Sequence, residues 1–295
     1  MRKVYGVIFS LILLFSLLIY GCSNDSDDDA DAVEEDESKI TIGATPWTST
    51  EFPSEVAKSI LEDMGYEVEI KEGELGVIFT ALAEDDIDMF LDYWDPQFEE
   101  YLDKYSDSVE KVSTSYDNAE RGLAVPTYMT EVDDVKDLKG VEDEVDNEIL
   151  AIEESDPAIE AIPELIDSYD LDMEMINSTE PAMLSAVQDK IENQEPVVFF
   201  GWRPHSMFEM LDVKLLTNED EPDLNTPSTV YTVANKKLEE NNSDIYHFLK
   251  NWDMSLEEVE EMIIRVENNE ESPKDLAEEW IEENQDRVED MKEVD

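Results

Sequence analysis

Two rhythms of apolar and polar residues trade places along this chain. Ile40-Thr41-Ile42-Gly43 is a short apolar run of strand character, and Ser54 to Met64 repeats apolar residues at helical spacing until Gly65 stops it. Tyr66 to Ile70 predicts a second strand, Val77 to Ala83 a helix, Ile87 to Tyr93 a buried strand, and Leu123-Ala124-Val125-Pro126 another. A polar, acidic stretch from Val132 to Asp146 interrupts the alternation. It then resumes with strands at Ile149 to Ile152, Met173 to Ile176 and Pro196 to Phe200, and helices at Ala158 to Tyr169 and Pro181 to Ile191. Thr229 to Ala234 predicts one more strand, and the remainder is helical. Ser255 with Glu258, and Ser272-Pro273 with Asp275, mark the starts of the final helices.

Strands alternating with helices predict an α/β fold with largely parallel sheet. Two βα runs and a returning C-terminal segment suggest a first lobe over residues 39–127, a second over 128–228, and a return to the first over 229–295. A ligand cleft is expected between the lobes.

The first residues follow another pattern. Arg2 and Lys3 precede an uncharged apolar run from Val4 to Tyr20, the layout of a signal peptide over residues 1–21. That run is at the bottom of the length a membrane-spanning helix needs, about 17–25 residues, so a plain anchor is the competing reading. The run closes in Leu18-Ile19-Tyr20-Gly21-Cys22, similar to a bacterial lipobox, with Tyr20 bulkier than the usual occupant of its place. Cys22 is the only cysteine, so an internal disulfide is impossible, and lipidation gives that odd thiol a role. Cys22 to Ser38 is acidic and lacks basic and aromatic residues, as expected of a tether that cannot offset its ordering entropy by burial. The chain is therefore expected on the outer face of a cell membrane, held by lipid on Cys22.

Charge narrows the function. The chain has 79 acidic and 20 basic residues, a net charge of −59, with 41% hydrophobic residues, enough for a real core. Such a surface repels nucleic acid. The acids fall on the polar faces of helical patterns, as in Leu256-Glu257-Glu258-Val259-Glu260-Glu261-Met262-Ile263, which suits a solvated surface adapted to high salt. No Asp-x-Asp-x-Asp-Gly loop points to calcium, and no metal or cofactor is expected.

Of the five tryptophans, Trp252 and Trp280 sit among apolar residues at helical spacing and are expected in the core. Trp47, Trp94 and Trp202 each follow an apolar strand run and lie beside a proline: Thr45-Pro46-Trp47, Trp94-Asp95-Pro96, Trp202-Arg203-Pro204. In open α/β sheets ligands bind beyond the carboxyl ends of strands, so loop indoles there are candidates for one site. Converging indoles suit a quaternary ammonium, which hydrates weakly and cannot be held by hydrogen bonds. A stacked platform for sugars is the rival. Neither a catalytic serine elbow, a phosphate loop nor a zinc-protease motif is present, and the two histidines, His205 and His247, form no triad. His247 lies in an apolar helical run and is expected to be structural.

Gly201-Trp202-Arg203-Pro204-His205-Ser206-Met207-Phe208 resembles the Gly-Trp-x-Pro-His-x-Met-Phe signature of glycine-betaine-binding lipoproteins of ABC importers. Phe90 to Pro96, Gly43 to Trp47 and Gly122 to Pro126 are similar to further segments of that family, over roughly residues 40–290. The resemblance implies a two-lobed type II periplasmic-binding-protein fold. It implies a receptor for glycine betaine or a related osmolyte that works with permease and ATPase subunits and catalyses nothing. It also implies that Trp47, Trp94 and Trp202 enclose the trimethylammonium group, that His205 belongs to the site, and that backbone amides at Ala151-Ile152-Glu153 hold the carboxylate. Two positions depart from the family. Ala151 replaces a glycine, and Glu99 stands where a carboxylate-binding histidine is common, so choline becomes an alternative, with Glu99 accepting its hydroxyl.

Overall fold

A computed structural model describes residues 38–154, 157–218, 227–269 and 271–294. The expected signal segment, Cys22 and, apart from Ser38, the acidic tether lie outside the described residues.

The first sheet forms from strands β1 (Lys39–Ala44), β2 (Glu67–Glu72) and β3 (Met89–Asp95), which run parallel, with helices α1 (Thr48–Asp63) and α2 (Leu75–Glu84) as crossovers. Helix α3 (Glu99–Lys104) follows, then β4 (Val109–Ala119) and β5 (Arg121–Pro126). The second sheet repeats the plan. Parallel strands β6 (Glu148–Ala151), β7 (Glu174–Asn177) and β8 (Val198–Trp202) are linked by α4 (Pro157–Ser168) and α5 (Glu180–Glu192). A short helix α6 (Met207–Met210) leads to β9 (Val213–Leu215), and β10 (Ser228–Asn235) returns to the first sheet. Helices α7 (Leu238–Asn241), α8 (Ser243–Lys250), α9 (Leu256–Asn269), α10 (Pro273–Glu283) and α11 (Gln285–Lys292) complete the chain.

The sheet orders are β2-β1-β3-β10-β4 and β7-β6-β8-β5-β9. In each, one strand runs against the other four: β10 is antiparallel to β3 and β4, and β5 is antiparallel to β8 and β9. The expected helices and strands are present at or near their predicted places, but three expectations are corrected. Helix α1 starts at Thr48, not Ser54, and it continues through Pro53 in its second turn, where the ring removes one backbone N–H without ending the helix. The crossing between lobes falls at Glu120, between β4 and β5, not at residue 127 or within 132–146. That acidic stretch instead buries Val132, Val135, Leu138 and Val145 beside the second sheet, where Asp134 bridges to Thr217. Finally, Ser272 stands at the start of α10 with Pro273 in its first turn, yet its hydroxyl makes no capping bond.

The cores are apolar, as the periodicity requires. Ile40, Ile42, Phe79, Phe90 and Phe248 are buried in the first lobe, and Ile149, Val187, Val198 and Phe199 in the second. Each fully buried side chain of this size is worth about 1.5–3 kcal/mol. Trp252 and Trp280 are buried as expected.

Candidate functional site

Strands β1, β3 and β8 end facing one another across the cleft, and each delivers an indole there. Trp47 sits in the turn after β1 and caps the N-terminus of α1, where its carbonyl accepts from the backbone N–H and the hydroxyl of Thr50. Trp94 and Trp202 are not loop residues: they lie within β3 and at the last position of β8, and the prolines follow two residues later. Both following bonds, Asp95-Pro96 and Arg203-Pro204, are cis.

One cavity is lined by Trp47, Trp94 and Trp202 together with Ser49, Gln97, Phe98, Arg121, Ile152 and Phe200. Its free space, about 20 Å³, is room for roughly one water. A larger ligand therefore enters only if the lobes part. The walls are aromatic and braced. Trp47 meets Phe98 at 6.1 Å between ring centroids, and Phe200 stacks on Trp202 at 5.7 Å and 28°. A buried carboxylate sets Trp94: Asp92 accepts from its Nε1 at 2.9 Å, from Ser49 Oγ at 2.9 Å and from the Tyr116 hydroxyl at 3.3 Å. Burial, with Asp92 beside it, pushes the Tyr116 hydroxyl well above its ordinary range, so it stays a donor.

The second lobe fixes Trp202 from behind. His205 is fully buried and meets the indole edge-on, 4.8 Å away at 85°. Its Nδ1 accepts from the Met207 backbone N–H at 3.0 Å, which leaves Nε2 as the ring donor toward Glu180 Oε1 at 3.4 Å. The loop carrying these residues also reaches helix α9 of the first lobe. Arg203 pairs with Glu260 at 3.3 Å, and the Ser206 hydroxyl donates to Glu267.

The expected site is thus gathered in part. Trp47, Trp94, Trp202 and Ile152 share the cavity. Ala151, at the end of β6, is buried and accepts from the Ser178 backbone N–H at 3.0 Å, but does not line it. His205 supports an indole and is not in the wall. Glu99 is exposed in the first turn of α3 and lies outside the lining. The sequence reading missed Ser49, Gln97, Phe98, Arg121 and Phe200. Phe200 was discoverable, being two residues before Trp202 and so on the same strand face. Arg121 was not, since its place follows from pairing between β5 and β8.

Among the described residues no cluster of three His, Cys, Asp or Glu is set to hold a metal, and no helix is long and apolar enough to cross a membrane.

A two-lobed α/β fold with its aromatic pocket between lobes defines a solute-binding protein of the periplasmic-binding class. Residues 38–283 match OpuAC, the substrate-binding domain of the ABC-type glycine betaine transport system, and the chain belongs to that family. The glycine betaine/carnitine transport binding protein GbuC of Listeria monocytogenes serotype 1/2a (strain 10403S) is 29% identical over 170 residues, 56% of this chain and 54% of that protein. The match therefore spans about half the length of that relative. A solved ABC-transporter choline-binding protein in complex with choline is similar at 28% identity and a TM-score of 0.79, over 86% of this chain and 91% of that one. Lactococcal OpuAC, closed on glycine betaine, shares the fold at 23% identity and a TM-score of 0.81, over 87% of this chain and 100% of that one.

Proposed function

We propose that this protein is the extracytoplasmic receptor of an ABC importer, capturing glycine betaine or a close quaternary ammonium relative for uptake as an osmoprotectant. The observation that carries the reading is the convergence of Trp47 and Trp94 from the first lobe with Trp202 from the second on one cavity. Each indole face is worth about 0.5–2 kcal/mol to a desolvated cation. A ligand touching indoles from both lobes favours the closed arrangement by its differential affinity for it. The role calls for binding and release, not chemistry, with the permease and ATPase subunits as partners. Lipid on Cys22 would keep the receptor on the outer face of the membrane, beside its permease, at raised effective concentration.

Choline or carnitine is the second reading, favoured by the likeness to a choline-binding structure at 28% identity. Calorimetric titration tests the cage directly. Trp94→Ala and Trp202→Ala are each expected to weaken binding of the preferred ligand at least tenfold, about 1.4 kcal/mol. Unchanged affinity in both variants would sink the cage. Quenching of tryptophan fluorescence by sugars but not by betaine would favour a carbohydrate receptor.

A further inference from the structure

We propose that Arg121 makes this receptor selective for quaternary ammonium compounds that carry a carboxylate, against those that end in a hydroxyl. The inference rests on the cage reading and adds the chemistry of the ligand's other end. Among the described residues that line the cavity, Arg121 is the one of formal charge; the others are aromatic, apolar or neutral polar. It is 7% exposed and opens β5, where its Cα partner across the antiparallel pair with β8 is Trp202. Directly opposed residues share a sheet face with Cβ atoms about 4.5–5.5 Å apart, so the guanidinium belongs beside that indole.

Rooted in the second lobe, its side chain is oriented from the first. With the amide oxygen of Gln97 facing it, that oxygen accepts from Arg121 Nε at 3.0 Å and Nη2 at 2.7 Å, and the amide nitrogen donates to Ser228 Oγ at 2.8 Å. Gln97 follows Trp94 by three residues, and Ser228 opens β10, so the fork is clamped to the same segment that presents the second indole. A planar guanidinium held this way loses little freedom when it receives a carboxylate.

The neutral polar atoms of the wall fit the same ligand. Trp47 Nε1 is a buried donor with no partner among the described residues, and Ser49 Oγ already donates to Asp92. A carboxylate only accepts hydrogen bonds, which is what indole N–H and guanidinium groups need. Glu99, which would repel it, is exposed and outside the wall. Choline ends in a neutral hydroxyl, so it forgoes the charge-assisted bonds that a carboxylate makes to the guanidinium.

The test compares three ligands that share one trimethylammonium group: glycine betaine, its neutral carboxamide, and choline. Calorimetry on the wild-type protein should give glycine betaine at least a tenfold advantage over both others. Arg121→Gln should bring the betaine-to-choline ratio close to one while choline binding persists, and Arg121→Lys should retain part of the preference. Gln97→Leu, which frees the fork, should also reduce the ratio and serves if Arg121→Gln does not fold. A wild-type protein indifferent to the carboxylate, or an unchanged ratio in folded Arg121→Gln, overturns the proposal. Failure of the cage reading looks different: none of the three ligands binds the wild-type protein, or Trp202→Ala changes nothing.

Discussion

Asp92 is the residue on which the aromatic wall depends most. Its carboxylate is 1% exposed and takes hydrogen bonds from Trp94, Ser49 and Tyr116, tying β3, α1 and β4 together beneath the cavity. Asp92→Asn keeps the shape but puts a donor where donors already converge. It should lower thermal stability by about 1–3 kcal/mol and weaken capture of a trimethylammonium ligand several-fold. Calorimetric affinity and the melting temperature read these two effects separately. An exposed carboxylate behaves otherwise. Glu99→Gln is expected to leave ligand affinity within about twofold, since removing one solvated charge outside the wall changes little. A large gain in betaine affinity would place Glu99 functionally in the site.

Among the elements, the closing helices α9, α10 and α11 hang on one carboxylate. Glu258 completes a capping box with Ser255, whose backbone N–H it accepts at 2.8 Å while its own N–H donates to Ser255 Oγ at 3.3 Å. The same carboxylate receives Arg287 Nη1 from α11 at 2.6 Å and the Trp280 indole from α10 at 3.0 Å. Partial burial pushes the Glu258 carboxyl up, but bonds from Arg287, Ser255 and Trp280 outweigh it and hold it down at about 2. A folded value below the unfolded one stabilises the protein above the ordinary carboxylate range. That contribution is lost as pH falls from about 4.5 toward 2. Glu258→Gln should therefore cost about 1–3 kcal/mol at neutral pH, and the gap from wild type should shrink on acidification. A gap that holds constant down to pH 2 would refute this account.

At the scale of the molecule, charge dominates. A net −59 repels itself over the whole surface, and molar salt shortens the Debye length to about 3 Å. The exposed ion pairs it also screens, such as Lys39 with Glu69 at 2.9 Å, contribute little individually. Melting temperature should therefore rise markedly between low and molar salt; a salt-independent melting curve would remove the high-salt reading of the surface. The same scale governs ligand capture, because the wall is divided between two lobes, and the strand order passes from one to the other between β4 and β5 and again between β9 and β10.

Local pattern carried much of this protein. The apolar runs ending at Gly43, Tyr93 and Phe200 announced β1, β3 and β8, because a strand buried on both faces must be apolar throughout. Tryptophans beside prolines at strand ends marked the three indoles of the wall. Strand β4 escaped notice, since Lys111, Ser113, Ser115 and Asn118 break any apolar run in a strand with a partly solvated face. Strand pairing decided the rest. The sequence contains Arg121 and Trp202, but only the register of β5 against β8 makes them neighbours. Likewise, His205 and Glu99 both looked like ligand contacts. Packing turned one behind an indole and left the other in solvent, because the direction of a side chain is fixed by contacts distant in the chain and not by its immediate neighbours.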